Sequence, residues 1–240
     1  GENAYIADGE AGLTVLDVAV PSAPFLAGAL PLDDAAYAVA LAGGRAYIAA
    51  NDAGLVIADV QNPNAPAFLG SYLTAGAART VAVADGFAFV AEGMAWNGTD
   101  LVAGLRKIDI SDPTEPQSVG FYAEMEWVGT RIALQAGRAY VAAGSAGMRV
   151  LDITAAPAEI NMLAPAGPVS GLALGTGQAY LAANQAGISI VDIAQPTALA
   201  EIGHADYSPH AGIVAVAAAG EYIYAADGAG GLLIFRPVSY

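Results

Sequence analysis

The 240-residue chain has no cysteine, which excludes a disulfide framework and any thiolate-held zinc or iron–sulfur site. At this length no staple is needed, because a chain of such size buries roughly 70–75% of its unfolded surface. The absence therefore assigns no cellular compartment. Basic residues are scarce: 8 Lys and Arg face 23 Asp and Glu, for a net charge of −15. That balance argues against nucleic acid and against anionic membrane surfaces as partners, since both are held by basic contacts. Apolar residues reach 56%, yet no apolar run approaches the roughly 18–20 residues that span a bilayer, so no membrane insertion is expected. Histidine occurs twice, and no GxSxG elbow, P-loop or HExxH phrase is present. Nucleophile–base pairs are correspondingly scarce.

What the chain has in abundance is self-similarity. An aromatic in an Ala-Tyr-Ile-Ala-like phrase recurs at Tyr5, Tyr47, Phe89, Tyr140, Tyr180 and Tyr224, spaced by 42, 42, 51, 40 and 44 residues. After each of the first five comes an apolar run opened by Gly and closed by Asp: Gly12 to Asp17, Gly54 to Asp59, Gly104 to Asp109, Gly147 to Asp152 and Gly187 to Asp192. A Pro-containing turn follows, then an apolar run such as Phe68-Leu69-Gly70-Ser71-Tyr72, then a further segment such as Val81-Ala82-Val83. Four short apolar runs per unit, broken by Gly, Pro, Asn and Asp, are strand spacing. Runs apolar on both faces, as in Ala46-Tyr47-Ile48-Ala49-Ala50, belong to sheets covered on both sides. Four-stranded antiparallel sheets at a period of about 42 residues, each sandwiched between its neighbours, make a β-propeller. The expected fold is all-β, with six blade units at about 1–35, 36–77, 78–128, 129–168, 169–210 and 211–240 in a single propeller domain.

The segment Gly54-Leu-Val-Ile-Ala-Asp-Val-Gln-Asn-Pro-Asn-Ala-Pro66, repeated at Gly104 to Pro116, resembles the LVIVD-repeat proteins of bacterial and archaeal cell surfaces. The resemblance implies a propeller of extracellular, prokaryotic habit. It carries over no catalytic motif. At the sixth copy Arg236 stands where the repeated Asp is expected.

Within one blade the strands are termed inner, second, third and outer. Turns from inner to second and from third to outer share the lower face. Turns from second to third, and crossovers to the next blade, share the upper face. Asp17, Asp59, Asp109, Asp152 and Asp192 lie on the lower face just before a Pro, where a carboxylate fixes a turn by accepting backbone N–H bonds. A residue needed identically in five blades is structural.

The upper face is irregular, and function on repeat scaffolds concentrates in such irregularity. In the third unit the turn is expected to swell into a loop, Glu92-Gly93-Met94-Ala95-Trp96-Asn97-Gly98-Thr99-Asp100, and the crossover leaving that blade reads Glu124-Met125-Glu126-Trp127. Both tryptophans thus fall in neighbouring loops. Trp96, Asp100, Glu124, Glu126 and Trp127 form a candidate patch for a protein or a glycan. The competing reading has one ring plugging the upper mouth or packing the insertion down. Asn97-Gly98-Thr99 satisfies the N-glycosylation rule at Asn97. His204, Asp206 and His210 in the last crossover are the residues a transition metal would use, but their spacing matches no standard zinc pattern and they read as solvated loop residues. Calcium would draw on Asp33-Asp34 or on Glu124 and Glu126, without a DxDxDG-like loop. No cofactor is expected.

The expected function is non-catalytic: an extracellular or cell-surface module that binds or scaffolds a protein or glycan through its upper face, or serves as a subunit of a larger assembly. The alternative is a metal-dependent hydrolase or dehydrogenase working in the central channel. Such an enzyme needs several acidic side chains at the channel mouth, where the inner strands offer Val, Ala, Leu and Ile, with Arg79 and Arg131 as polar exceptions. Strand counting predicts a first blade without an inner strand and a sixth without an outer one. Six full units and the insertion need roughly 260 residues, so the chain is expected to be a segment of a longer polypeptide that supplies the rest. A five-bladed ring is the alternative, with residues 211–218 pairing residues 3–8.

Overall fold

The structure is a computed structural model that describes residues 2–96, 101–124, 129–205 and 212–236. It divides into two compact units, residues 1–128 and 129–240, each holding three blade sheets.

In the first unit, blade 1 contains β1 (Asn3–Ala7), β2 (Leu13–Asp17) and β3 (Phe25–Leu30). Blade 2 contains β4 (Ala38–Ala42), β5 (Arg45–Ala49), β6 (Leu55–Asp59) and β7 (Ala67–Tyr72). Blade 3 contains β8 (Ala78–Ala84), β9 (Phe87–Trp96), β10 (Leu101–Asp109) and β11 (Gln117–Glu124). In the second unit, blade 4 is β12 (Arg131–Gln135), β13 (Arg138–Ala142), β14 (Met148–Asp152) and β15 (Ala158–Leu163). Blade 5 is β16 (Gly171–Leu174), β17 (Gln178–Ala182), β18 (Ile188–Asp192) and β19 (Ala200–Ala205). Blade 6 is β20 (Ala215–Ala219), β21 (Tyr222–Ala226) and β22 (Leu232–Phe235). Every sheet is an antiparallel meander in chain order, and the single helical turn among the described residues is Gly228–Gly230. These six sheets are the blades of an all-β propeller fold.

β20 pairs with β21, with Ala217 opposite Tyr224, which overturns the five-bladed alternative. Among the described residues blade 1 lacks an inner strand and blade 6 an outer one.

The repeat positions have physical reasons. Each conserved-in-repeat Asp accepts, through Oδ1, the backbone N–H two residues on: Ala19 at 2.9 Å, Gln61 at 2.8 Å, Ser111 at 2.9 Å, Thr154 at 2.8 Å and Ala194 at 2.9 Å. Five Asx turns therefore end five third strands. Each outer strand then carries one extra residue, namely Ala27, Leu69, Val119, Ile160 or Ile202, at the same register break. These are β-bulges, and they increase the local twist.

Blades within a unit are tied at the upper face. The turn between second and third strands passes through a left-handed residue, such as Asn51 (φ 46°), and a left-handed Gly, such as Gly54 (φ 77°). The first of these pairs through its backbone with the next blade: Gly9 with Ala36, Asn51 with Ala78, Gly144 with Val169, Asn184 with Ile213. Between the sheets lie separate apolar clusters. Leu13, Val15, Ile48 and Val56 pack together between blades 1 and 2, and Leu55, Ile57, Val90 and Ile108 between blades 2 and 3. Tyr140, Val150, Leu172 and Val191 do so between blades 4 and 5, and Ile188, Ile213, Val216 and Ile223 between blades 5 and 6. Each fully buried Leu or Ile contributes about 1.5–3 kcal/mol.

Candidate functional site

The departure from the repeat lies in blade 3. β5 and β6 have five residues each, whereas β9 has ten and β10 nine. The insertion expected as a loop from Glu92 is, as far as Trp96, an extension of β9. Leu101 pairs with Trp96 and Val102 with Ala95, and a register break between Val102 and Gly104 bends the hairpin. The extended strand runs close under the crossover from blade 2. Gly93 donates its N–H to the Ala77 carbonyl at 2.7 Å, and a methyl group on Gly76 would overlap the Gly93 carbonyl oxygen. Glycine at position 76 is what allows this approach.

The hairpin is rooted on a buried ion pair. Glu92 is 1% exposed, and both its oxygens accept from Arg106, through Nε and through Nη2 at 3.1 Å. Arg106 Nη1 donates to Ser118 Oγ at 3.1 Å. The guanidinium lies 4.4 Å from the centroid of the Phe121 ring and 5.8 Å from that of Tyr72 on blade 2. Burial alone would lower the Arg106 pKa, but the hydrogen bond and charge of Glu92, with Tyr72, raise it above its ordinary value. On the opposite face of β10, Lys107 is buried with its ammonium 4.2 Å from the Phe87 ring centroid. Sequence places Glu92 in a loop and therefore does not pair it with Arg106. The available signal was Arg106-Lys107 inside an otherwise apolar strand, since buried charge demands a counter-charge.

The candidate residues fall as follows. Trp96 is the last residue of β9 and Glu124 the last of β11. Their partners on β10 are Leu101 and Ala103, so residues 96 and 124 flank β10 at the same end of one sheet. Glu124 is half-buried and accepts from the Tyr122 hydroxyl at 3.4 Å. Asn97, Asp100, Glu126 and Trp127 lie outside the described residues, as do Asp206 and His210.

His204, expected in a crossover, is on strand β19 opposite Ser189. Its Nδ1 lies 3.5 Å from Glu201 Oε1, and both side chains are partly exposed. Asp34 clips the crossover onto the neighbouring turn. Its Oδ1 accepts from Ala35 N–H at 2.7 Å, and its Oδ2 from Asp52 N–H at 3.0 Å and Asn51 Nδ2 at 3.1 Å. The Ala35 bond foremost, with those of Asp52 and Asn51, holds its carboxyl below the ordinary value against a smaller opposing effect of burial. Arg79 at the start of the blade 3 inner strand lies 4.7 Å from the ring centroid of Tyr37 in blade 2. Arg131 is exposed at the start of β12. Among the described residues no three His, Asp or Glu side chains are grouped to hold a metal ion, and no helix is long and apolar enough to cross a membrane.

The LVIVD repeat profile matches residues 1–30, 35–74, 75–124, 166–206 and 213–235. The chain belongs to the LVIVD-repeat family. The stretch between the third and fourth matched segments holds blade 4, where Asn161 replaces the outer-strand Gly and the Pro turn shortens to Thr154-Ala155-Ala156-Pro157. Blade 4 still forms the repeat's four strands, Asx turn and bulge. A search of curated proteins gave no match. Among solved structures, the computationally designed Ika8 protein superposes with a TM-score of 0.66 at 12% identity, over 99% of this chain and 81% of that one. A chain of the mitotic checkpoint complex gives 0.57 at 11% identity, over 98% and 84%. The designed Ika4 protein gives 0.53 at 14%, over 68% and 92%. At these identities the likeness is one of fold.

Proposed function

We propose that this LVIVD-repeat protein is a non-catalytic, cofactor-free binding or scaffolding module, displayed outside the cell or on a prokaryotic cell surface. It engages a protein or a glycan through the upper end of blade 3, with Trp96, Asp100, Glu124, Glu126 and Trp127 as its contact residues. The observation that supports this is the blade 3 hairpin. The second–third hairpin of every other blade closes in a tight turn, while this one is lengthened and braced by Glu92 and Arg106. A rigid base under a binding segment lowers the ordering cost of binding. The family's surface habit supports the location.

The test uses glycan arrays and pull-downs from a prokaryotic cell-envelope fraction. It compares the wild type with Trp127→Ala and with a variant whose residues 93–103 are replaced by the Asn-Asp-Ala turn of blade 2. Loss of a shared ligand in both variants, with folding intact, is the expected result. Undiminished binding by both would overturn the assignment.

A further inference from the structure

The interface between blades 1 and 2 is open at a position where the next interface is filled. Register defines the equivalence: Arg106 on β10 stands opposite Phe121, and Val56 on β6 stands opposite Ser71. Arg106 reaches between Phe121 and Tyr72 and is neutralised by Glu92. Arg149 on β14 occupies the position again, and its Nη1 donates to Glu159 at 2.7 Å. Val56 has no such reach. In its place is a cleft of about 660 Å3 at the upper rim, with Val56, Phe68 and Leu73 among its apolar lining. Phe68 is 57% and Leu73 73% exposed.

Carboxylates are present without a cation. Asp33 and Asp34 of the crossover and Asp52 of the turn line the cleft, and none of the described lining residues is Lys or Arg. Asp34 is engaged with the backbone as described above. Asp33 and Asp52 make no side-chain hydrogen bond among the described residues.

We propose that this cleft receives an arginine side chain from an extended peptide segment of a partner protein, in the place Arg106 takes in the following interface. Three features favour that occupant. The neighbouring interface shows that this position accommodates a guanidinium. The carboxylates and the chain's net charge of −15 complement a cation. Phe68, Val56 and Leu73 offer a ring and an aliphatic floor to the stem of an arginine and to an apolar neighbour. This goes beyond the reading of blade 3 and stands or falls separately, because it involves neither tryptophan.

The probe is dye-labelled Leu-Arg-Leu-amide, followed by fluorescence anisotropy at low salt, beside its citrulline analogue, which keeps the shape and loses the charge. The arginine peptide should bind roughly tenfold more tightly than the citrulline one, and less tightly as salt rises. Val56→Arg should fill the cleft from within and abolish binding in a protein that still folds. Asp33→Asn with Asp52→Asn should weaken binding roughly tenfold. Both carboxylates are at the surface, so that variant decides the matter if Val56→Arg misfolds. Trp127→Ala should bind the peptide as the wild type does. Absence of binding, equal affinity for citrulline, or full binding by a folded Val56→Arg protein would each overturn the proposal.

Discussion

Glu92→Gln tests how the blade 3 hairpin is held. The wild-type carboxylate is 1% exposed and takes two hydrogen bonds from a guanidinium whose side chain is 13% exposed. Glutamine keeps the shape and one acceptor but strands the positive charge. Removing one member of a fully buried pair costs about 3–5 kcal/mol. Arg106 retains Ser118, the two rings and a little solvent, which reduces the loss to about 2–3 kcal/mol. For a chain of this length that corresponds to a fall in Tm of about 5–10 °C by scanning calorimetry. The double variant Glu92→Gln with Arg106→Met removes the stranded charge, and much of the loss should return, to within about 1 kcal/mol of wild type. A Glu92→Gln protein whose Tm falls by less than about 2 °C would refute the reasoning. So would a double variant as unstable as the sum of the single changes.

Three further outcomes follow from the repeat. Gly70→Ala places a methyl 2.5 Å from the Pro113 carbonyl oxygen, whereas the same change at the equivalent Gly203 meets, among the described residues, nothing nearer than Ile190 Cδ1 at 3.4 Å; the first should cost about 1–3 kcal/mol in urea unfolding and the second less than about 1, and equal costs would dismiss the interblade contact as the cause. The Asp109 carboxyl is held below its ordinary value by the Ser111 backbone N–H first and then the Ser111 hydroxyl. A lowered folded-state pKa gives stability that is complete above the unfolded-state pKa and lost as pH falls through the folded-state value. Asp109→Asn keeps the acceptor without the titration, so its Tm should fall less steeply between about pH 4 and pH 2, and an unchanged acid limb would count against this account. Ser189 is 1% exposed with no hydrogen-bond partner for its Oγ among the described residues, so Ser189→Ala should leave the Tm unchanged or raise it, and a clear loss would reveal a partner for that hydroxyl.

The fold was legible because the repeat reports a register. Tyr47 stands opposite Ile57, and Arg45 opposite Asp59, so the distance from aromatic to Asp is the length of one hairpin counted along the chain. The bulge was hidden, since an extra residue in an outer strand changes no residue type. The blade 3 extension is hidden for a related reason. Gly93 and Asn97-Gly98 carry turn chemistry, but β9 continues to Trp96 against the crossover at Ala77, a contact that local propensity does not contain. Asp33-Asp34 suggests a calcium site because two adjacent acids look available in a sequence. The hydrogen bonds of Asp34 to residues 51 and 52 depend on the interblade pairing at Asn51.

The third strands explain why interface chemistry varies while the blades do not. They read Leu-Thr-Val-Leu-Asp, Leu-Val-Ile-Ala-Asp, Leu-Arg-Lys-Ile-Asp, Met-Arg-Val-Leu-Asp and Ile-Ser-Ile-Val-Asp. Their first and fourth positions stay apolar and buried, or nearly so, because both serve the packed layers between sheets. The second position alternates among Thr14, Val56, Arg106, Arg149 and Ser189. It sits near the upper end of its strand, within reach of the second–third turn and the outer strand. Its partner is correspondingly variable: Asp8 receives the Thr14 hydroxyl at 3.0 Å, Glu92 receives Arg106 and Glu159 receives Arg149. An arginine there demands a carboxylate close by, since a half-buried charge without one is costly. A valine demands nothing and leaves space. Because the first and fourth positions stay apolar in either case, this one column can change what an interface holds while the blades still pack.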